Sequence, residues 1–205
     1  MEKLDFKKKL KEYYSASKDK FMIVNIPEMN FLSVAGEGDP NTSKSFKEAV
    51  ELLYAFAYSI KFMFKKGPEQ IDYGVMPLEG LWWTDDMSTF SVKRKSEWQW
   101  KIMIMQPEIV TKEYFDRALD QVKLKKTFSN YDRIKFESFR EGLSAQTLHV
   151  GPFEKEGPVI VELHKYIEDG GYKPVDKHHE IYLSDIRRAA PEKWKTIIRQ
   201  PIIPK

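Results

Sequence analysis

The chain has 205 residues, of which 41% are hydrophobic and 32% charged, with a formal net charge of +3 and no cysteine. That length suits one domain with a sizeable core, and the composition is that of an ordinary soluble globular protein. The missing cysteines exclude structural disulfides, thiolate zinc sites and a cysteine nucleophile, the small net charge argues against a nucleic-acid partner, and no run of about 18 apolar residues is there to span a bilayer.

Residues 1–20 are basic and amphipathic, with Phe6, Leu10 and Tyr13 at helical spacing and Lys7, Lys8 and Lys9 on a solvated face. They lack the apolar core of a signal peptide and are expected to form an N-terminal extension of a cytoplasmic protein. A single domain is then expected over residues 21–205, in two halves at about 21–107 and 131–205 joined by a connector helix at about 111–126. In the first half, Met22–Ile26 and Phe31–Ala35 predict a hairpin around Pro27-Glu28-Met29-Asn30. Ser45 and Glu48 predict a capping box for a helix that ends at Gly67-Pro68. Extended segments follow at Ile71–Val75, Pro77–Trp83 and Trp98–Gln106, with an exposed loop between Thr84 and Glu97. In the second half, Ile134–Phe139 and Ser144–Val150 predict a hairpin around Glu141-Gly142. Gly157-Pro158 and Gly170-Gly171 bound a helix, and strands are expected at His178–Asp185 and Trp194–Gln200.

Trp100-Lys101-Ile102-Met103-Ile104-Met105-Gln106-Pro107 reads as Trp-Lys-x-x-Ile-x-Gln-Pro, and Trp194 to Pro201 repeats the pattern. Each copy closes a similar run of elements, so the expected fold is α+β: two pseudo-symmetric strand-helix-strand-strand units, a duplicated βαββ arrangement, with a ligand cleft at their interface. Five Trp, ten Tyr and thirteen Phe suit either an aromatic-lined pocket or a bulky core.

No metal is expected. His179-Glu180 opens a zincin-like pattern, but residue 183 is Leu where the second His is required. Gly36-Glu37-Gly38 lacks the rest of a phosphate-binding fingerprint, and no Gly-x-Ser-x-Gly elbow is present. The strand His178–Leu183 is more informative. Its period of two puts Ile181 and Leu183 on one face, suited to packing under helices, and His178, Glu180 and Tyr182 on the other. Its counterpart in the first half is the aromatic segment Tyr73 to Trp83, in which the adjacent Trp82 and Trp83 point to opposite faces and at least one belongs in the core.

Pro77-Leu78-Glu79-Gly80-Leu81-Trp82, Leu148-His149-Val150-Gly151-Pro152-Phe153 with Glu156, His179-Glu180-Ile181-Tyr182-Leu183-Ser184-Asp185 and the two Trp-Lys strands resemble the GyrI-like small-molecule-binding family, of SHS2 and SOUL-related fold, from roughly residue 20 onward. The resemblance implies a cleft carboxylate, matching Glu180, surrounded by aromatic rings. Stand-alone relatives with these segments resemble cyclopropanoid cyclopropyl hydrolases, which open the reactive cyclopropane of planar DNA-alkylating compounds with water. The resemblance therefore implies a hydrolase in which Glu180 activates the water and Tyr182 or Tyr73 hydrogen-bonds the conjugated carbonyl. Trp82, Trp83, Glu79, His149 and His178 would then contact the ligand. The expected partner is a planar hydrophobic or electrophilic small molecule, with no cofactor, metal, nucleic acid or membrane. A protein that only sequesters such a compound would use the same residues.

Overall fold

The computed structural model describes residues 1–18, 20–87, 92–125 and 127–205. Residues 88–91 of the expected loop and residue 126 at the end of the expected connector lie outside them. The chain forms two compact units. One comprises Met1–Lys9, Met29–Met76 and Trp82–Phe139, and the other Leu10–Glu28, Pro77–Leu81 and Arg140–Lys205.

In the first unit a short strand β1 (Glu2–Leu4) pairs in parallel with β3 (Ile71–Tyr73), and helix α1 (Phe6–Lys9) lies between them in sequence. The long strand β2 (Met22–Glu37) runs antiparallel to β5 (Gln99–Gln106), from Asn30↔Gln106 to Glu37↔Gln99. Helix α3 (Lys44–Lys66) buries Leu52, Leu53, Phe56, Ile60 and Phe64, the face its apolar period dictates. Its cap differs from the expected one. The Ser43 hydroxyl accepts from the Phe46 amide, so the helix begins two residues early, and Glu48 instead accepts from the Ser129 amide. Helix α4 (Lys112–Lys125) packs on α3 through Phe115 and Phe56, and Ser59 donates to Gln121 across the pair.

The second unit contains α2 (Lys11–Tyr14) and strand β6 (Lys135–Val150) from residue 140 onward. Helix α5 (Gly157–Asp169) is followed by β7 (Tyr172–Pro174), β8 (His178–Tyr182) and β9 (Lys195–Pro204). β9 is the hub: β6 and β8 both pair antiparallel with it, and its end pairs with β7. Leu163 and Ile167 of α5 pack on Ala145, Ile198 and Ile202. Strand β4 (Leu78–Trp83) is divided between the units after Leu81.

Two expected hairpins are not hairpins. β2 runs unbroken through Pro27–Asn30, and β6 runs unbroken through Glu141-Gly142, where Gly142 takes φ +76°. The unit boundaries fall at Glu28/Met29 and Phe139/Arg140, close to these turn-like residues. The extended backbone overrides the turn preference of proline and glycine at these positions.

The two Trp-Lys copies hold like registers within their own units. Gly36 pairs with Trp100, while in the second unit Val150 pairs with Lys195 and the Gly151 amide donates to the Trp194 carbonyl. At position 36 glycine is a steric requirement, because a Cβ would stand 2.4 Å from the Trp100 ring. Gly36→Ala should therefore lower unfolding free energy by about 1–3 kcal/mol through overpacking, measured by chemical denaturation. Trp100→Phe in the same chain should cost less than the two changes added, since the smaller ring relieves the clash.

Candidate functional site

β8 organises two polar clusters, one on each face. On the first face His179 donates from Nδ1 to Glu141 Oε1 at 2.8 Å and from Nε2 to Glu79 Oε2 at 3.1 Å. Glu79 also accepts from the Tyr14 hydroxyl at 2.6 Å. Arg199 donates to Glu141 Oε2 at 2.9 Å, to Gln146 Oε1 at 2.9 Å and to the Tyr13 carbonyl. The side chains of Glu79, Glu141, His179 and Arg199 are each at most 2% exposed. Two donating nitrogens define an imidazolium. Burial opposes that charge, but the Glu141 carboxylate and then the hydrogen bonds to Glu141 and Glu79 override it and hold His179 up at about 9. Burial would likewise raise Glu141, yet His179 and Arg199 bring it down to about 2. Burial and the neighbouring Glu79 push the Tyr14 phenol well above its usual range, so it remains a donor.

On the opposite face Glu180 accepts from His178 Nε2 at 3.1 Å and from the Tyr182 hydroxyl at 2.7 Å. The registers Glu180↔Ile198 and Tyr182↔Thr196 put these residues on the face of β9 that carries Ile198 and Ile202, on which α5 packs. The alternation along β8 is as expected, but the face beneath α5 is the one with Glu180, not the one with Ile181. Ile181 is buried on the face with His179, because the apolar partners of α5 come from β6 and β9 rather than from β8.

Glu156 joins this second cluster. It immediately precedes α5, where Pro158 lies in the first turn, and its side chain makes no capping bond. It is only 4% exposed. Burial, then the Glu180 carboxylate, raises its carboxyl to about 9, against the opposing effect of the nearby Thr196 hydroxyl. At neutral pH it is a carboxylic acid. Phe153 lies 5.6 Å from the Tyr182 ring and 4.9 Å from that of Trp194, all three half-buried, so the cluster has an aromatic edge.

Of the other expected residues, Trp82, Trp83 and Tyr73 belong to the first unit and Glu79 and His149 to the second. Trp82 is core in the first unit, against Phe46 and Trp98, and Trp83 is half-buried with its indole N–H donating to Gln99. Tyr73 is buried in that unit between Phe6 and Phe64. Glu79 is engaged by Tyr14 and His179, and His149 donates from Nε2 to the Pro152 carbonyl. Glu141 reads in the sequence only as a turn residue, His179 and Arg199 sit in recognisable segments with no sign of their pairing, and Tyr14 falls in the first twenty residues, which read as an extension. Instead residues 10–20 are tied into the second unit: Gln146, Thr147 and Leu148 donate to the backbone carbonyls of Glu12, Ser15, Ser17 and Lys20.

The chain belongs to the GyrI-like small molecule binding domain family, whose model matches residues 19–203. It is similar to an uncharacterized conserved protein from Listeria innocua, 41% identical over 98% of this chain and 100% of that one, with a TM-score of 0.90. It is also similar to a hydrolase encoded by lin2189 from Listeria innocua, 40% identical over the same shares, with a TM-score of 0.88. The EcmrR C-terminal domain, 14% identical over 91% of this chain and 98% of that one with a TM-score of 0.56, shares the fold. No curated protein matches the chain. Among the described residues no helix is long and apolar enough to cross a membrane.

These groups give stability a defined pH dependence. Raised from its ordinary 4.5 to about 9, Glu156 contributes stability below pH 4.5 that is lost as pH rises toward 9. His179, raised from 6.5 to about 9, loses its contribution across that same upper window. Glu141, lowered to about 2, loses its contribution as pH falls from 4.5 toward 2. Denaturation across pH should show a maximum near pH 4.5, with a fall above it that steepens beyond pH 6.5 as His179 joins Glu156. Glu156→Gln should be more stable than wild type at pH 8, and Glu141→Gln, which strands two buried cations, less stable by about 3–5 kcal/mol at pH 7.

Proposed function

We propose that this GyrI-like protein captures a flat, hydrophobic, electrophilic small molecule and hydrolyses it by opening a strained ring, in the manner of cyclopropanoid cyclopropyl hydrolases. The observation that carries the reading is a pair of neighbouring carboxyl groups in unlike surroundings. Glu156 is a neutral acid, while Glu180 is fixed by donors from His178 and Tyr182. Two carboxyl groups set apart in this way divide the roles of acid and base. Glu180 orients a water and takes its proton, and Tyr182 with His178 fixes the direction of its lone pairs. Phe153 and Trp194 offer flat faces on which a planar compound stacks. The likeness to a Listeria hydrolase supports turnover. The like registers of Gly36 with Trp100 and Gly151 with Trp194 support descent of the two units from one duplicated βαββ element.

The test is conversion of a cyclopropane-bearing alkylator to its ring-opened hydroxylated product, resolved by chromatography. Glu180→Gln keeps the size of the side chain but removes its charge, and should cut turnover roughly 10²-fold or more while tryptophan quenching by the ligand persists. Binding without product above the uncatalysed rate in wild type would make the protein a sequestering one.

A further inference from the structure

In the first unit an open groove of about 380 Å³ runs between helices α3 and α4, lined from α3 by Phe62, Met63 and Lys66 and from α4 by Arg117, Gln121 and Lys125. Three of these side chains are cations and none is acidic. The whole chain has a formal charge of only +3, so three cations on one groove concentrate charge locally. A plainer account covers part of this. Lys66 and Lys125 each close a helix, where a cation complements the macrodipole. That account omits Arg117, in the middle of α4, and it does not cancel the charge: two helix C-termini bring roughly half a negative charge each, which leaves about two positive charges.

None of the three cations makes an ion pair among the described residues. Lys66 Nζ instead lies 5.5 Å from the centre of the Phe62 ring, and the Arg117 guanidinium 5.2 Å from that of Tyr114. The rings position both charged heads and leave their N–H groups for another acceptor. Glu69, engaged by the Tyr114 hydroxyl, is an acid that also feels Arg117, but it does not line the groove. Ser59 donates to the Gln121 side-chain oxygen, which leaves the Gln121 amide nitrogen as a further donor. Phe62 is 44% exposed, so apolar surface adjoins the cations.

We propose that this groove binds a small amphipathic anion, a sulfonate, carboxylate or phosphate group carried on a flat apolar body. The acid group meets Lys66, Arg117 and Lys125, with the guanidinium pairing in bidentate fashion, and the body lies along Phe62 and Met63. The site belongs to the first unit and stands whether or not Glu180 of the second unit acts in hydrolysis.

The experiment titrates the isotope-labelled full chain with naphthalene-2-sulfonate and follows backbone amides by nuclear magnetic resonance. Saturable shifts should appear at Met63, Gly67 and Gln121, and binding should weaken at about 0.3 M salt, where screening shortens the reach of charge. Lys66→Gln and Arg117→Gln should each weaken binding about fivefold, the scale of one exposed charge pair. The same spectra establish that each variant is folded. Glu180→Gln should leave the titration unchanged, and the neutral isostere naphthalene-2-sulfonamide should not shift these amides at the same concentration. Equal shifts from the sulfonamide, indifference to Lys66→Gln and Arg117→Gln, or shifts confined to the second unit overturn the site. Vesicles of anionic phosphatidylglycerol that bind through these cations when the free sulfonate does not would make the face a membrane contact and overturn it as well.

Discussion

The second unit is organised around a chain of buried charge, from Tyr14 through Glu79, His179 and Glu141 to Arg199. Removing four ionisable groups from water carries a desolvation penalty of several kcal/mol each, and only mutual pairing with near-complete hydrogen bonding offsets it. Every link therefore depends on its neighbours. Glu79 comes from β4, Glu141 from β6, His179 from β8 and Arg199 from β9, so the chain specifies how four segments far apart in sequence converge. It also recruits the N-terminal segment, since Tyr14 completes Glu79 and the Tyr13 carbonyl completes Arg199. Because nearly all of its donors and acceptors serve one another, this cluster is a structural clamp rather than a reactive centre.

The cluster on the other face of β8 has the opposite character. Glu156 is buried beside another carboxylate that raises it to about 9, an arrangement that costs stability at neutral pH. The two faces of one five-residue strand thus differ in kind: His179 anchors one, and Glu180 with Glu156 forms the acidic cluster of the other. The clamp also orders the opposite face, because fixing β8 at His179 fixes the side chains one residue to either side.

The recurring Trp-Lys segment shows how one pattern serves different ends. Trp100 is fully buried, pressed over Gly36 and packed against Phe46. Trp194 is half-buried, its indole N–H bonded to the Ala189 carbonyl and its ring beside Phe153. In the first unit the tryptophan is core, and in the second it borders the candidate site. The side chains around them account for the difference: Phe46 comes from the 23-residue helix α3, while Phe153 lies in the short turn before the 13-residue α5.

Much of this protein is written locally. The alternation of His178, Glu180 and Tyr182 against His179 and Ile181, the limits of α5 between Gly157-Pro158 and Gly170-Gly171, and the apolar face of α3 all follow from strand pleat, capping chemistry and helical period, which need no distant residue. The family resemblance is equally legible in short segments. What the local signal lacks is the identity of the partner. Which face of β8 lies beneath α5 depends on where Ala145, Ile198 and Ile202 come together, and period two is the same whichever face is covered. Pro27 and Gly142 read as turns until strand pairing carries β2 and β6 straight through them. Trp82 and Trp83 do not say by themselves which of them belongs in the core, and Phe46 and Trp98 place Trp82 there. Tyr14 and Arg199 look unremarkable in sequence and become structural because burial makes any unpaired charge near them intolerable, a condition that exists only once the tertiary structure has removed the water.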